Sequence, residues 1–155
     1  MLPQSEEGHT ATLLADGTVL LTGGWICCGF SVANAEIYLP VVSTSSPVLY
    51  SLPGGTQGAI WDANTGRLAS ATSPAIAGEA LSMYTTSLFE GGVIPPQVAV
   101  GGKLADILYF GDAPGYPGYF QVNFRVPSGV APGSAVPVRL SYIGRPSNAV
   151  TIGVQ

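Results

Sequence analysis

The residues able to do chemistry are few, and their spacing assembles no reaction. His9 is the single histidine of the 155-residue chain, so a histidine-paired metal site or a serine–histidine relay has one ring to draw on. The two cysteines are adjacent, in Trp25-Ile26-Cys27-Cys28-Gly29-Phe30. A bridge between them would hold Cα atoms about 3.8 Å apart across a trans peptide, tighter than the usual disulfide range of roughly 4.4 to 6.8 Å. Two readings remain: free thiols, or bridges from Cys27 and Cys28 to another chain in an oxidising assembly. The carboxylates Asp62, Glu79, Glu90, Asp106 and Asp112 are too loosely spaced for a calcium loop. A carboxylate pair for glycoside hydrolysis would have to be assembled by the fold, and the sequence selects none. No nucleophile, base and orienting group can be named together, so the chain reads as non-enzymatic, with no cofactor or metal.

Aromatic residues offer a different chemistry. Tyr109, Phe110, Tyr116 and Tyr119 surround the glycine- and proline-rich segment 111–118. Rings on such a loop either form a stacking platform for a sugar or a partner chain, or pin the loop to the domain end. Tyr109, Tyr116 and Tyr119 are the candidate ligand or partner surface. Trp25, Phe30 and Trp61 read as packing residues.

Composition bounds the partners. Hydrophobic residues make up 46% of the chain and charged residues 9%, against about 25% charged in ordinary soluble domains. The net charge is −4, and the basic residues Arg67, Lys103, Arg125, Arg139 and Arg145 are scattered, which argues against nucleic-acid and anionic-membrane partners. Scarce lysine also leaves strand edges without charged gatekeepers. No run of about 18 apolar residues offers a membrane span. Residues 1–7 have neither a basic nor an apolar signal region, so export information was removed or the chain is a piece of a longer protein.

The elements that position these residues are strands. With 21 Gly and 13 Pro, turns are frequent and no helical stripe is sustained. Residues 10–14, 18–22 and 35–38 are strand-length runs, the first two joined by an Asp16-Gly17 hairpin turn and the last two separated by a loop over 23–34. Residues 43–58 are Ser/Pro/Gly-rich and read as a linker, with 48–50 able to pair as a short strand. Further strands are expected at 80–86, 97–100, 105–110, 119–126, 136–143 and 149–154. Phe120, Val122, Phe124 and Val126 alternate with Gln121, Asn123 and Arg125, the pattern of a half-buried antiparallel strand. Pro137 places its strand at an edge or a bulge. The expected fold is all-β: an immunoglobulin-like antiparallel β-sandwich over 59–155, preceded by a partial blade over 1–42.

Two resemblances sharpen this. His-Thr-Ala-Thr-Leu-Leu-Ala-Asp-Gly-Thr-Val-Leu-Leu-Thr-Gly-Gly at 9–24 and Ala-Glu-Ile-Tyr at 35–38 resemble a single kelch-type propeller repeat of the galactose-oxidase-like kind. That resemblance implies a structural His9, its ring bonding strand backbone. A copper-radical site of the galactose-oxidase kind needs more than one histidine. Residues 58–155 resemble the Solibacter-type C-terminal domain of secreted bacterial proteins. The match lies in Ser73-Pro74-Ala75-Ile76-Ala77-Gly78-Glu79, Val98-Ala99-Val100-Gly101-Gly102, Ala113-Pro114-Gly115, 120–127 and Val130-Ala131-Pro132-Gly133. This part is also similar to immunoglobulin-like modules of the transcription-factor and plexin kind. The resemblance implies an extracellular or cell-surface protein without catalytic activity.

A blade normally buries its faces against neighbouring blades, so an isolated one leaves apolar surface and open edges. The expectation is a homo-oligomer or polymer built by strand addition from a neighbouring subunit, a filament in one form, with Thr18, Leu20 and Thr22 as the assembly edge. The alternative is a secreted attachment or polysaccharide-binding module, cut from a larger kelch-containing protein, that uses the aromatic loop.

Overall fold

Alternation along the chain decides which side of each strand meets the core. The computed structural model describes residues 7–14, 18–26, 30–38, 45–88 and 94–155, and no helix occurs among them. The protein is all-β. Its N-terminal strands are β1 (Thr10–Leu13), β2 (Val19–Thr22), β3 (Trp25–Ile26), β4 (Phe30–Ser31) and β5 (Ala35–Tyr38). The larger part follows as β6 (Ile60–Asp62), β7 (Ala80–Thr85), β8 (Gln97–Val100), β9 (Lys103–Asp112), β10 (Phe120–Arg125), β11 (Gly133–Tyr142), β12 (Arg145–Pro146) and β13 (Val150–Val154).

The larger part is a sandwich. One layer runs β6-β7-β10-β9 and the other places β8 beside β11, which also pairs with β12 and β13, all antiparallel. These are the A-B-E-D and C-F-G orders of an immunoglobulin-type sandwich. Inward positions alternate as the period of two requires: Leu81, Met83 and Thr85 on β7, Val122 and Phe124 on β10, and Val136, Val138, Leu140 and Tyr142 on β11. Val98, Val100, Val150 and Ile152 complete the interior, each no more than 1% exposed.

Strand β9 joins the layers. Lys103, Leu104 and Ala105 pair with β8, whereas Asp106 to Asp112 pair with β10. Between the pairs Phe124↔Ile107 and Asn123↔Tyr109, Leu108 is an extra residue, so the strand bulges just after it changes sheet.

Pro137 lies on β11, a central strand, and pairs with Thr151 of β13. Its carbonyl accepts the Gly101 N–H at 2.8 Å, just beyond the end of β8. A strand residue aims its N–H to the same side as its C=O, so the donor that proline lacks would face the Gly101-Gly102 turn rather than a ladder position. A register shift between Gly133 and Val136 lies immediately before it.

Residues 45–58 are bonded into the sandwich. Leu49 is buried in the core; its N–H donates to Asn148 Oδ1 at 2.8 Å and its carbonyl accepts from Asn148 Nδ2 at 3.0 Å. Farther on, the connection from β6 to β7 is fixed by ionic groups. Arg67 pairs with Glu79 at 2.7 Å and donates to Ser73 Oγ at 2.6 Å, while Glu79 Oε2 accepts the Ile76 N–H. Asp62 Oδ1 accepts the N–H groups of Asn64 and Thr65 at 2.8 and 2.7 Å.

The N-terminal strands form a separate three-stranded sheet in the order β1-β2-β5, with β3 and β4 paired as a small hairpin inside what the sequence suggested was a loop. The double glycine is required there. Gly23 and Gly24 have φ of 65° and 109°, and a Cβ on Gly24 would lie 2.8 Å from the Glu7 carbonyl oxygen. The Asp16-Gly17 turn lies outside the described residues, as do Cys27 and Cys28.

The Asp62 carboxyl is held down at about 2, from an ordinary 3.8, by a hydrogen bond to the Glu79 carboxyl and by the Thr65 and Asn64 N–H groups. Because the folded value lies below the unfolded one, this contribution is complete above about 3.8 and is lost as pH falls toward about 2. Asp62→Asn should therefore flatten the acid limb of a stability-versus-pH curve in that window, followed by circular dichroism in urea. Superimposable acid limbs would assign the titration to another group.

Candidate functional site

The outer face of the β6-β7-β10 layer is built by the same alternation that fills the core. Trp61 falls between the inward Ile60 and Asp62, and Tyr84 between the inward Met83 and Thr85. Gln121 and Asn123 flank the inward Val122. Register then sets them side by side: Trp61 opposite Ser82, Asn123 opposite Ser82, and Gln121 opposite Tyr84. One outer surface thus carries two aromatic rings with a hydroxyl and two amides.

The segment after β9 brings two more rings. Ala113-Pro114-Gly115-Tyr116 and Tyr116-Pro117-Gly118-Tyr119 are consecutive tight turns, closed by Tyr116 N–H to the Ala113 carbonyl at 3.0 Å and by Tyr119 N–H to the Tyr116 carbonyl at 3.1 Å. Each has Pro second and Gly third, with Gly115 and Gly118 at φ of 79° and 84°, the signature of type II turns. Ala113 N–H also donates to the Tyr119 carbonyl at 2.9 Å, closing the double turn on itself. Tyr116 and Tyr119 therefore stand at fixed corners, not on a loose loop.

These rings meet those of the sheet. Tyr84 makes edge contacts with Trp61 and Tyr116, each with centroids 6.0 Å apart and planes inclined at 63° and 62°, and the Tyr119 ring lies 5.6 Å from that of Tyr50. Tyr50, Trp61, Tyr84, Tyr116 and Tyr119, with Ala59, line a cleft of about 390 Å³. Burial, and the neighbouring Tyr119, push the Tyr50 phenol above its ordinary value, so it stays a protonated donor. Beyond Tyr84 and Tyr116 a second hollow of about 490 Å³ adds Asp62, Ser82 and Gln121 to the shared rings. Gln121 Nε2 donates to Asn123 Oδ1 at 2.9 Å.

Of the three tyrosines singled out from sequence, Tyr116 and Tyr119 reach the cleft and Tyr109 does not. The Tyr109 hydroxyl donates to the Asp112 carbonyl at 2.9 Å, against Gly111, and so anchors the base of the double turn. Tyr50, Trp61 and Tyr84 were missed as site residues. The signal for Tyr84 was present in its alternation with Leu81, Met83 and Thr85.

The N-terminal sheet corrects a second expectation. Leu20 and Thr22 lie on β2, which is paired on both sides, and the buried Thr18 immediately precedes it; they form no free edge. The hairpin lays β1 against one side of β2 and the chain returns as β5 on the other. Among the described residues, the outer edges are those of β1 and β5. His9 is exposed, and its ring makes no hydrogen bond among the described residues, unlike the backbone-bonding role its kelch-like context implied.

Among the described residues no group of three His, Cys, Asp or Glu is placed to hold a metal ion, and no helix is long and apolar enough to cross a membrane. Comparison with family models, with curated proteins and with solved structures yields no match.

The double turn depends on two residues at positive φ. Gly115→Ala and Gly118→Ala each place a Cβ in a left-handed conformation, a cost of about 1–2 kcal/mol per site. Urea unfolding should show that loss, and the Tyr84–Tyr116 ring contacts in nuclear Overhauser spectra should weaken. Unchanged ring contacts in the double variant would mean that Tyr116 is held by something other than these turns.

Proposed function

We propose that the chain is a non-enzymatic extracellular structural protein whose incomplete N-terminal blade is completed by a neighbouring copy. One observation carries the reading: among the described residues, the hydrophobic core lies wholly between Leu49 and Val154, and none of it comes from β1 to β5. That small sheet nonetheless carries Leu13, Ile37 and Tyr38, with Trp25 and Phe30 on its hairpin, all exposed.

Three strands of four residues bury too little apolar surface to offset their own ordering unless something covers a face. Strand addition supplies the cover and satisfies the backbone groups along an edge. The β1 edge, Thr-Ala-Thr-Leu, has no charge to oppose pairing, while the β5 edge carries Glu36. The β1 edge of one copy meeting the β5 edge of the next is a heterologous contact, which closes as a ring or runs on as a filament. The kelch-like pattern of residues 9–24 supports a blade that needs neighbours. The resemblance of residues 58–155 to the C-terminal domain of secreted bacterial proteins supports the extracellular setting. Cys27 and Cys28 are the natural intersubunit clasp in this arrangement.

Light scattering should give a mass that is a multiple of the protomer and that falls with reductant if the cysteines bridge copies. Thr10→Lys with Thr12→Lys, which charges the β1 edge, should yield monomers with an unchanged far-ultraviolet spectrum. A monomeric parent protein, or assemblies of the same size in the charged variant, would overturn the reading.

A further inference from the structure

We infer that the aromatic cleft between the double turn and the outer sheet face binds a neutral oligosaccharide, with successive sugar rings seated on either side of the Tyr84–Tyr116 pair. The site is separate from the strand edges of the proposed assembly and does not depend on them.

The cleft rings are exposed without a packing need. The core is filled by Phe124, Leu81, Met83 and their neighbours, so the outward rings are not required to complete it. Tyr116 is 60% exposed and Tyr119 45% exposed. A large apolar patch rimmed by polar groups marks a binding surface. The cleft of about 390 Å³ falls within the roughly 300–1,000 Å³ of small-ligand sites.

The cleft is chemically complementary to a sugar. A pyranose ring has an apolar C–H face and a rim of hydroxyls, and so asks for a ring to stack on and neutral donors and acceptors beside it. Trp61, Tyr84 and Tyr116 line both hollows. Ser82 and Gln121 line the second hollow, and Asn123 stands next to Gln121 on the same strand, opposite Ser82. Because Gln121 Nε2 is spent on Asn123 Oδ1, the pair offers one carbonyl acceptor and one amide donor with no protein partner among the described residues. No charged residue lines the first hollow. The single carboxylate at the second, Asp62, is engaged by the Asn64 and Thr65 N–H groups. A neutral ligand is therefore favoured over a uronic-acid chain. A proline-rich peptide also docks on aromatic ridges, but it presents carbonyls at a threefold period rather than hydroxyls on every edge.

The cleft is also preorganised. Two Pro-Gly turns hold Tyr116 and Tyr119, and β6 and β7 hold Trp61 and Tyr84, before any ligand arrives, which cuts the ordering cost of binding.

Isothermal titration with cellohexaose, xylohexaose, mannohexaose and laminarihexaose, with hexagalacturonate and a proline-rich decapeptide alongside, tests the site. At least one neutral hexaose should bind. Tyr116→Ala, an exposed turn position that does not enter the core, should weaken that binding at least tenfold, and Gln121→Ala should weaken it as well. Arg139→Ala, exposed on β11 in the other layer, should leave it unchanged, and the Thr10→Lys/Thr12→Lys variant should bind as the parent does. Binding of hexagalacturonate or the peptide alone, no binding of any hexaose, or equal affinity in the Tyr116→Ala variant would each overturn the inference.

Discussion

Strand β9 has to serve two sheets, and the rest of the molecule follows from how it does so. A ten-residue strand cannot stay flat against both layers, so it spends three residues on β8, bulges at Leu108 and gives the remainder to β10. Along that crossing Ala105, Ile107 and Phe110 pack against the core. It also fixes where the chain emerges. Gly111 lies opposite Gln121, and Gln121 opposite Tyr84, so the segment leaving β9 comes out next to the outer aromatic face. Without the bulge, later β9 residues would change face relative to β10.

Exposed apolar surface occurs in two forms here, and physical support separates them. The cleft rings stand on strands whose other face is packed: Tyr84 has Met83 and Thr85 on either side, both buried, and Trp61 has Ile60. Their exposure is maintained by a core that is stable without them. Leu13, Ile37 and Tyr38 have no such backing, because nothing in β1, β2 or β5 enters the core cluster. The first kind of surface can wait for a weak ligand. The second would gain cover in the proposed assembly, and that difference is why a ligand is proposed for one and a partner copy for the other.

Much of the fold was legible because most strands alternate cleanly. The expected runs at 35–38 and 97–100 coincide with β5 and β8, and 119–126 differs from β10 by one residue at each end. What was not legible is instructive. Two-residue strands such as β3 and β4 have no period, so the hairpin between Gly23 and Asn34 looked like loop. Leu49 sits in a Ser/Pro/Gly-rich stretch, and its place in the core depends on Asn148, 99 residues away. Trp61 read as a packing residue because a three-residue strand does not reveal its own phase; only the pairing with Ser82 turns it outward. Leu20 and Thr22 looked like an edge because a hairpin shows one neighbour in sequence, whereas the second, β5, arrives from beyond the next loop.

The site itself lies at the limit of what sequence can express. Its turn half is written locally, as Pro-Gly-Tyr at 114–116 repeated at 117–119, where each proline presets φ and each glycine accepts the positive φ that follows. Its sheet half is written only in long-range register. Tyr50, Trp61 and Tyr84 belong to three segments that share no motif, and they become one surface only after β6 pairs with β7 and Tyr50 packs against Tyr119. A rigid local turn placed over a long-range sheet face is an economical way to fix ring positions. Neither half needs a charge, a metal or a disulfide to hold it, which is consistent with a chain that has only 9% charged residues. The same neutrality that removes ionic chemistry from the cleft leaves stacking and hydroxyl-directed hydrogen bonds as the interactions it can offer.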